Sequence, residues 1–281
     1  MPRGRQGTPD VLSAIARTAE DAGLHTVWFG DHVVYPVDYE PNYPSGNGRV
    51  GYNIESPQLD VLLAITWACA ATRRIRVGTS IMVIGERQLV WLAKQVASLD
   101  VLSGGRLTLG IGAGWCTEEY VAMGVSPERR GARTDEYVEA LKVLWTDPMP
   151  SFQGEFVSFA PIYCNPKPVQ AGGVPIWVGG GTTAALERTA RYGKGWVAAG
   201  TEPRELAEKI AWIRHRAAEL GRTDAADIEM LAQGVWRADR SELIDLLGRL
   251  EEAGITEVVV PAQGKSVSEV SESVAAIPGL R

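Results

Sequence analysis

Cysteine is scarce in this 281-residue chain: there are three, Cys69, Cys116 and Cys164, widely separated and odd in number. Such a set supports neither a disulfide framework nor paired thiolate ligands, and it fits a reducing, cytoplasmic setting. Histidine is equally sparse, at three. No His-Glu-x-x-His occurs to hold zinc on a helix, and no Gly-x-Ser-x-Gly marks a serine nucleophile. No apolar run approaches about 18 residues, so no segment reads as a membrane span. The opening residues, MPRGRQGT, are polar where a secretory signal is apolar. Acidic residues outnumber basic ones by 34 to 28, a formal charge of −6. The charges form no block of one sign, which argues against nucleic acid or an anionic membrane as partner. With no visible protein nucleophile or metal set, an organic cofactor is the economical source of chemistry.

What the chain does have is an alternating α/β pattern. Apolar residues make up 45%, ample for one core, and a (β/α)8 barrel typically needs about 250 residues. The clearest unit lies between Arg74 and Trp115. Two short apolar runs, RIRVGTSIMV and RLTLGIGAGW, flank one helical stretch closed by Gly104-Gly105. Parallel strands need such a crossover, so this is a βαβ unit. A hydroxyl, a proline and an acid in Thr8-Pro9-Asp10 start a helix that runs to Gly23. Then come a strand at Thr26–Gly30, a helix opened by Ser56-Pro57 and running to about Thr72, and the central unit. Further helices are expected at Arg133–Leu144, Thr182–Tyr192, Glu202–Leu220 and Glu242–Ala253, and a last one at the capping box Ser266-x-x-Glu269. Strands are expected at Ile176–Gly179, Gly195–Ala199, Glu229–Trp236 and Ile255–Pro261. Residues 1–281 read as one TIM-barrel-type (β/α)8 domain. A doubly wound open sheet is the runner-up, but Gly110-Ile-Gly112-Ala-Gly114 has the wrong spacing for its fingerprint.

Only seven strands are visible. The segment MPRGRQGT lacks the β-branched apolar residues of a strand, so the first barrel strand is expected to be missing. The strand at Thr26 and that at Ile255 would then carry open edges. This composition predicts a start inside the first βα loop, with an apolar strand upstream. Two connections are longer than turns: 33–55, with Tyr35, Tyr39, Tyr43 and Tyr52, and 147–174, with a hairpin at Phe152–Phe159 around Gly154. Both are expected on the βα side, as lids.

Four places could carry chemistry. Asp31-His32 ends the strand TVWFG, so both side chains should project at the barrel's catalytic end. Imidazole titrates near neutrality and suits proton exchange with a hydroxyl or carbonyl, and Asp31 could fix its tautomer or bind a cofactor. Thr79-Ser80, before Ile81, is a polar pair in an apolar strand, costly unless hydrogen-bonded. Ala113-Gly114 and Gly179-Gly180-Gly181-Thr182 expose backbone at strand ends, the latter at a helix start suited to phosphate. Tyr35 and Trp115 are the candidate substrate contacts. His25, His215, Glu118, Glu119, Arg129, Arg130 and Arg133 read as solvated surface groups.

The ordered motifs VWFGDH (Val27–His32), RVGTSIMV (Arg76–Val83), LAKQVASLDVLSGGRLTLGIGAGW (Leu92–Trp115), ERRGARTDEYVEALKVLW (Glu128–Trp145), NPKPVQ (Asn165–Gln170) and PIWVGGGTTAAL (Pro175–Leu186) resemble the luciferase-like monooxygenase superfamily. Within it they resemble the deazaflavin (F420)-dependent oxidoreductases of actinobacteria. The resemblance implies an Asp-His beside the deazaflavin ring, here Asp31-His32. It also implies a bulge with a non-prolyl cis peptide backing the ring, here Ser80–Ile81. It implies hydride exchange between F420 and a small-molecule substrate, in a homodimer. Sugar-phosphate-oxidising relatives carry an acid where Trp115 stands, which argues against a sugar phosphate. Two alternatives remain at this point: a monooxygenase using reduced FMN and oxygen, and a non-catalytic flavin-binding barrel.

Overall fold

The computed structural model describes residues 7–43, 47–51, 53–198, 200–237, 239–264 and 266–277. Helix α1 (Pro9–Asp21) begins at the expected cap, Thr8, whose hydroxyl accepts from the Val11 amide at 3.4 Å. Strand β1 (Thr26–Phe29) follows, then α2 (Val61–Ala71), β2 (Arg76–Thr79), β3 (Met82–Val83), α3 (Leu89–Ser103) and β4 (Leu107–Gly112). Helix α4 (Thr117–Ala122) and the longer α5 (Arg130–Thr146) precede a hairpin of β5 (Phe152–Gln153) and β6 (Ser158–Phe159). The remainder alternates: β7 (Ile176–Gly179), α6 (Thr183–Tyr192), β8 (Gly195–Ala198), α7 (Pro203–Glu219), β9 (Glu229–Gln233), α8 (Arg240–Glu252), β10 (Glu257–Val259) and α9 (Val267–Ala275). The last helix uses its capping-box serine, with Ser266 Oγ accepting from the Glu269 amide at 3.2 Å.

The strands pair in parallel in the order β1-β2-β4-β7-β8-β9-β10, with β3 also on β4. This sequential order is that of a near-closed seven-strand parallel barrel of the TIM type, and it sets aside the doubly wound sheet, whose strand order reverses. Strands β2 and β3 are one run interrupted at Ser80-Ile81. Gly78 pairs with Thr108, but Met82 pairs with Ile111. Four steps on one strand thus match three on the other, which is a one-residue bulge. The Ser80–Ile81 peptide is cis.

The barrel interior is filled, not hollow. Trp28 and Trp177 meet with ring centroids 5.2 Å apart, together with Val197, Leu231, Ile81 and Val259. Two glycines make room for the indoles. A Cβ on Gly78 would lie 2.4 Å from the Trp28 ring, and one on Gly195 would lie 2.3 Å from Trp177. Larger apolar layers pack the helices against the outside of the strands.

Strands β1 and β10 are the ends of the described sheet. Between them, Trp28 Nε1 donates to Glu257 Oε1 at 2.8 Å. Outside the gap, α1 and α9 join through Val11, Ile15, Val270 and Val274. The gap between the edges is therefore spanned by side chains, with the residues of β10 left partly exposed. The segment on which the absent-strand expectation rests falls largely on residues 1–6, which lie outside the described residues.

Two expectations need correction. Helix α2 begins at Val61, not at Ser56-Pro57, because Asp60 is the cap: its Oδ1 accepts from the amides of Leu62 and Leu63, both at 3.0 Å. The 147–174 connection is an αβ connection, not a βα loop. It leaves helix α5 and enters strand β7, so its two ends lie at the N-terminal ends of the strands, while its hairpin folds back to Arg129 at the start of α5. Gln170 Nε2 donates to Leu107 O at 2.8 Å and to Asp100 Oδ1 at 2.7 Å. The hairpin does form, but along α5, where Glu136 accepts from the amides of Glu155, Phe156 and Val157.

Candidate active site

Strand β1 delivers Asp31 and His32 to the C-terminal end of the barrel, as expected, but the two side chains take different partners. Asp31 Oδ1 accepts from Arg87 Nη2 at 2.9 Å, and Arg87 Nη1 is held by Val83 O at 3.0 Å. Asp31 Oδ2 is buried with no hydrogen-bond partner among the described residues. Burial raises the Asp31 carboxyl above its ordinary range, and the Arg87 guanidinium offsets part of that rise. The carboxylate that reaches His32 is instead Glu119, whose Oε2 lies 2.7 Å from Nδ1. Asp31 therefore does not orient the imidazole.

Glu119 was expected on a solvated helix face, and it is 1% exposed. Its other oxygen, Oε1, accepts from the Val33 and Val34 amides at 2.7 and 3.3 Å. The first turn of α4 thus fastens the start of the 33–55 connection. Glu118 extends the fastening, accepting from the Glu40 amide at 2.9 Å. That bond holds the Glu118 carboxyl below its ordinary range. A second buried acid, Glu86, is 3% exposed and is pushed up to about 9 by burial, with the neighbouring Glu119 adding to the rise. At neutral pH Glu86 keeps its proton.

Rings enclose the imidazole. Tyr35 lies 4.4 Å from the His32 ring and Trp115 lies 5.8 Å from it. Tyr39 and Tyr43 each stand edge-on to Trp115 at 5.3 Å. Edge-to-face pairs of this kind are favourable beyond simple burial. Tyr52 lies outside the described residues.

The remaining expected groups line the same end of the barrel in different states. Thr79 Oγ1 is spent on Gly110 O at 2.7 Å, while Ser80 Oγ reaches across to Gln233 Oε1 at 2.8 Å. Ile81 turns into the barrel among the indoles. The carbonyls of Ala113 and Gly114 are held by Tyr120 Oη at 2.9 Å and Arg130 Nε at 3.2 Å. At the triple glycine, the Gly180 amide donates to Val197 O at 3.1 Å, and its carbonyl accepts from Trp196 Nε1 at 2.8 Å. Gly180 is thus no anion donor, because its N–H continues the β7–β8 ladder. Gly179 ends β7, and Thr182 caps α6 through Ala185 N at 3.3 Å. Gly181 and Thr182 remain at the helix start, where the dipole favours an anion.

Other polar groups are structural or exposed. His25 and His215 have side chains 63% and 76% exposed. Arg129 pairs with Glu155, and Arg129 and Arg133 sit over the Phe156 ring at 5.4 and 5.0 Å.

Comparison with known proteins gives the family and the fold. The family model described as luciferase-like monooxygenase matches residues 2–255. An uncharacterized protein of Mycobacterium tuberculosis is 34% identical over 263 residues, 92% of this chain and 89% of its own length. The F420-dependent glucose-6-phosphate dehydrogenase of Kineococcus radiotolerans is 31% identical over 196 residues, 68% of this chain and 53% of that protein. The FMNH2-dependent dimethylsulfone monooxygenase of Pseudomonas putida is 31% identical over 155 residues, 54% of this chain and 42% of that protein. The fold superposes on an F420-dependent secondary alcohol dehydrogenase in complex with an F420-acetone adduct, with a TM-score of 0.78 at 20% identity, covering 98% and 96% of the two chains. The family therefore contains both deazaflavin-dependent and reduced-flavin-dependent proteins, and this chain belongs to it as a luciferase-like monooxygenase-family barrel.

Proposed function

We propose that the protein is an F420-dependent oxidoreductase that exchanges a hydride between the deazaflavin and a small uncharged organic substrate. The observation that carries this reading is His32: a nearly buried imidazole at a strand C-terminus, with Nδ1 engaged and aromatic rings around it. The Kineococcus relative and the alcohol dehydrogenase fold support F420 as the cofactor.

The residues fit such a group. Asp31 Oδ2 is a buried polar atom without a partner among the described residues, and a polar edge of the ring system would supply one. Ser80 and Ile81 at the bulge and Ala113-Gly114 at the end of β4 would flank it. Gly179, Gly181 and Thr182 at the start of α6 would take its phosphate. When bound, a deazaflavin supplies a carbon centre that accepts or releases hydride and reacts poorly with oxygen. His32 holds or releases the substrate proton. Tyr35 and Trp115 face the substrate, and the 33–55 connection, fastened by Glu118 and Glu119, is its lid and excludes water. The ring wall at Trp115 suits an apolar or carbonyl substrate better than a phosphorylated one.

The second reading is a monooxygenase using reduced FMN, supported by the Pseudomonas relative. Turnover separates the two. Incubation with oxidised F420 and a panel of small alcohols should bleach the deazaflavin absorbance. Oxygen-dependent product formation with reduced FMN, and none with F420, overturns the first reading. Binding of either cofactor without turnover on any donor or acceptor would indicate a non-catalytic barrel. Among the described residues no helix is long and apolar enough to cross a membrane. With three free, buried cysteines, the cytoplasm is the proposed location.

A further inference from the structure

The partners of Glu119 determine which nitrogen of His32 carries the proton. Oε1 already accepts from two backbone amides, Val33 and Val34, at 2.7 and 3.3 Å. These donors are fixed by the chain and cannot rotate away. They occupy Oε1 as an acceptor, and a carboxylate is an acceptor at both oxygens. Oε2, 2.7 Å from His32 Nδ1, therefore faces a donor, and that donor is Nδ1–H. The other nitrogen, Nε2, is left with its lone pair whenever the ring is neutral. Neither partner can drift: the His32 side chain is 10% exposed and that of Glu119 is 2% exposed. Tyr35 at 4.4 Å and Trp115 at 5.8 Å hold the plane of the ring.

We propose that Glu119 is the positioning residue of this site, locking His32 in the Nδ1–H tautomer so that neutral His32 presents a proton acceptor at Nε2. Its role in turnover rests on the oxidoreductase reading above; the tautomer itself does not. The consequence is directional. A resting imidazole with a bare Nε2 receives a proton from a substrate hydroxyl, so the neutral site is set for a hydroxyl-bearing substrate. The reverse direction needs the imidazolium.

One substitution tests this sharply. Glu119→Gln preserves size but offers one oxygen and one NH2. The Val33 and Val34 amides require the oxygen on their side. The NH2 must then face Nδ1, which can accept it only as a lone pair. The proton is forced to Nε2, and the acceptor is lost with the fold preserved.

The measurement is the 15N chemical shifts and long-range 15N–1H correlations of the histidine rings in the cofactor-free protein, above the ordinary imidazole range. A His32→Asn variant assigns the signal and separates it from those of the exposed His25 and His215. The wild type is expected to show protonated Nδ1 and unprotonated Nε2, and Glu119→Gln the reverse. Turnover of a hydroxyl substrate should fall by roughly 10²–10⁴-fold in Glu119→Gln, the range for a misplaced general base, and Glu119→Asp should recover part of it. A wild-type spectrum with Nε2–H overturns the proposal, and so does a Glu119→Gln protein with the wild-type tautomer. Unchanged turnover with a reversed tautomer overturns the positioning role. If Glu119→Gln fails to fold, the wild-type spectrum alone still decides. If F420 does not bind, the spectrum is unaffected, so failure of the cofactor reading is seen separately.

Discussion

Glu86→Gln should stabilise this protein, and the gain should depend on pH in a defined way. Glu86 is 3% exposed and its carboxyl is pushed from 4.5 to about 9, chiefly by burial. Above pH 4.5 the unfolded chain releases this proton while the folded protein keeps it. The folded state then binds more protons than the unfolded one, so its stability falls as pH rises. The fall stops near pH 9, where both states are ionised. At about 1.4 kcal/mol per unit, the interval from 4.5 to 7 costs the folded state about 3 kcal/mol. Glutamine carries no proton to lose and escapes the cost. The melting temperature of Glu86→Gln should exceed that of the wild type by roughly 6–12 °C at neutral pH. Urea unfolding of both proteins from about pH 4 to pH 9 is the assay. The difference between the two should be near zero at the acid end, should widen through neutrality, and should level off at the alkaline end. A difference that is flat across pH, or a glutamine variant weaker than the wild type at pH 8, would refute the reasoning.

Three more outcomes follow from the same structure. His32→Ala should lower kcat by roughly 10²–10⁴-fold with the far-UV spectrum unchanged; wild-type turnover in a cofactor-loaded variant would remove His32 from the mechanism. Gly78→Ala should cost about 1–3 kcal/mol in urea unfolding, because its Cβ would meet the Trp28 ring at 2.4 Å inside a filled barrel; unchanged stability would mean the indole can move aside. We also propose a homodimer joined by the outer faces of α2 and α3. Helix α2, VLLAITWACAA, carries no charge, and Leu63 and Trp67 are 71% and 49% exposed; on α3, which packs beside it, Trp91 is 64% exposed. Leu63→Glu with Trp91→Glu should halve the mass seen by light scattering, and an unchanged dimer would move the interface elsewhere.

The barrel was legible because its punctuation is local. Thr8-Pro9 and Ser266-x-x-Glu269 cap helices by contacts within four residues, and the seven apolar strand runs stand between them. His32 was legible because the end of a strand fixes which face it meets. Glu119 was not, since an acid in a first helical turn looks the same whether it complements the dipole in water or reaches a histidine 87 positions away. Glu86 and Arg87 sit in the turn after β3 with no periodicity to mark them; only the folded chain sets Arg87 against Asp31. Gly180 misled for the opposite reason. A glycine run advertises open backbone, but the pairing of β7 with β8 had already claimed its amide. That 147–174 starts and ends at the N-terminal face could have been read from chain order alone, because it joins a helix to the next strand; that its hairpin folds back to the start of α5 could not.

The central claim is that this barrel holds a deazaflavin against Asp31 and His32. Calorimetric titration of the purified protein with F420 and, separately, with FMN tests it most directly. The account predicts saturable F420 binding that is tighter than FMN binding and is weakened in Asp31→Ala. Tighter binding of FMN, with no saturable F420 signal, would contradict it.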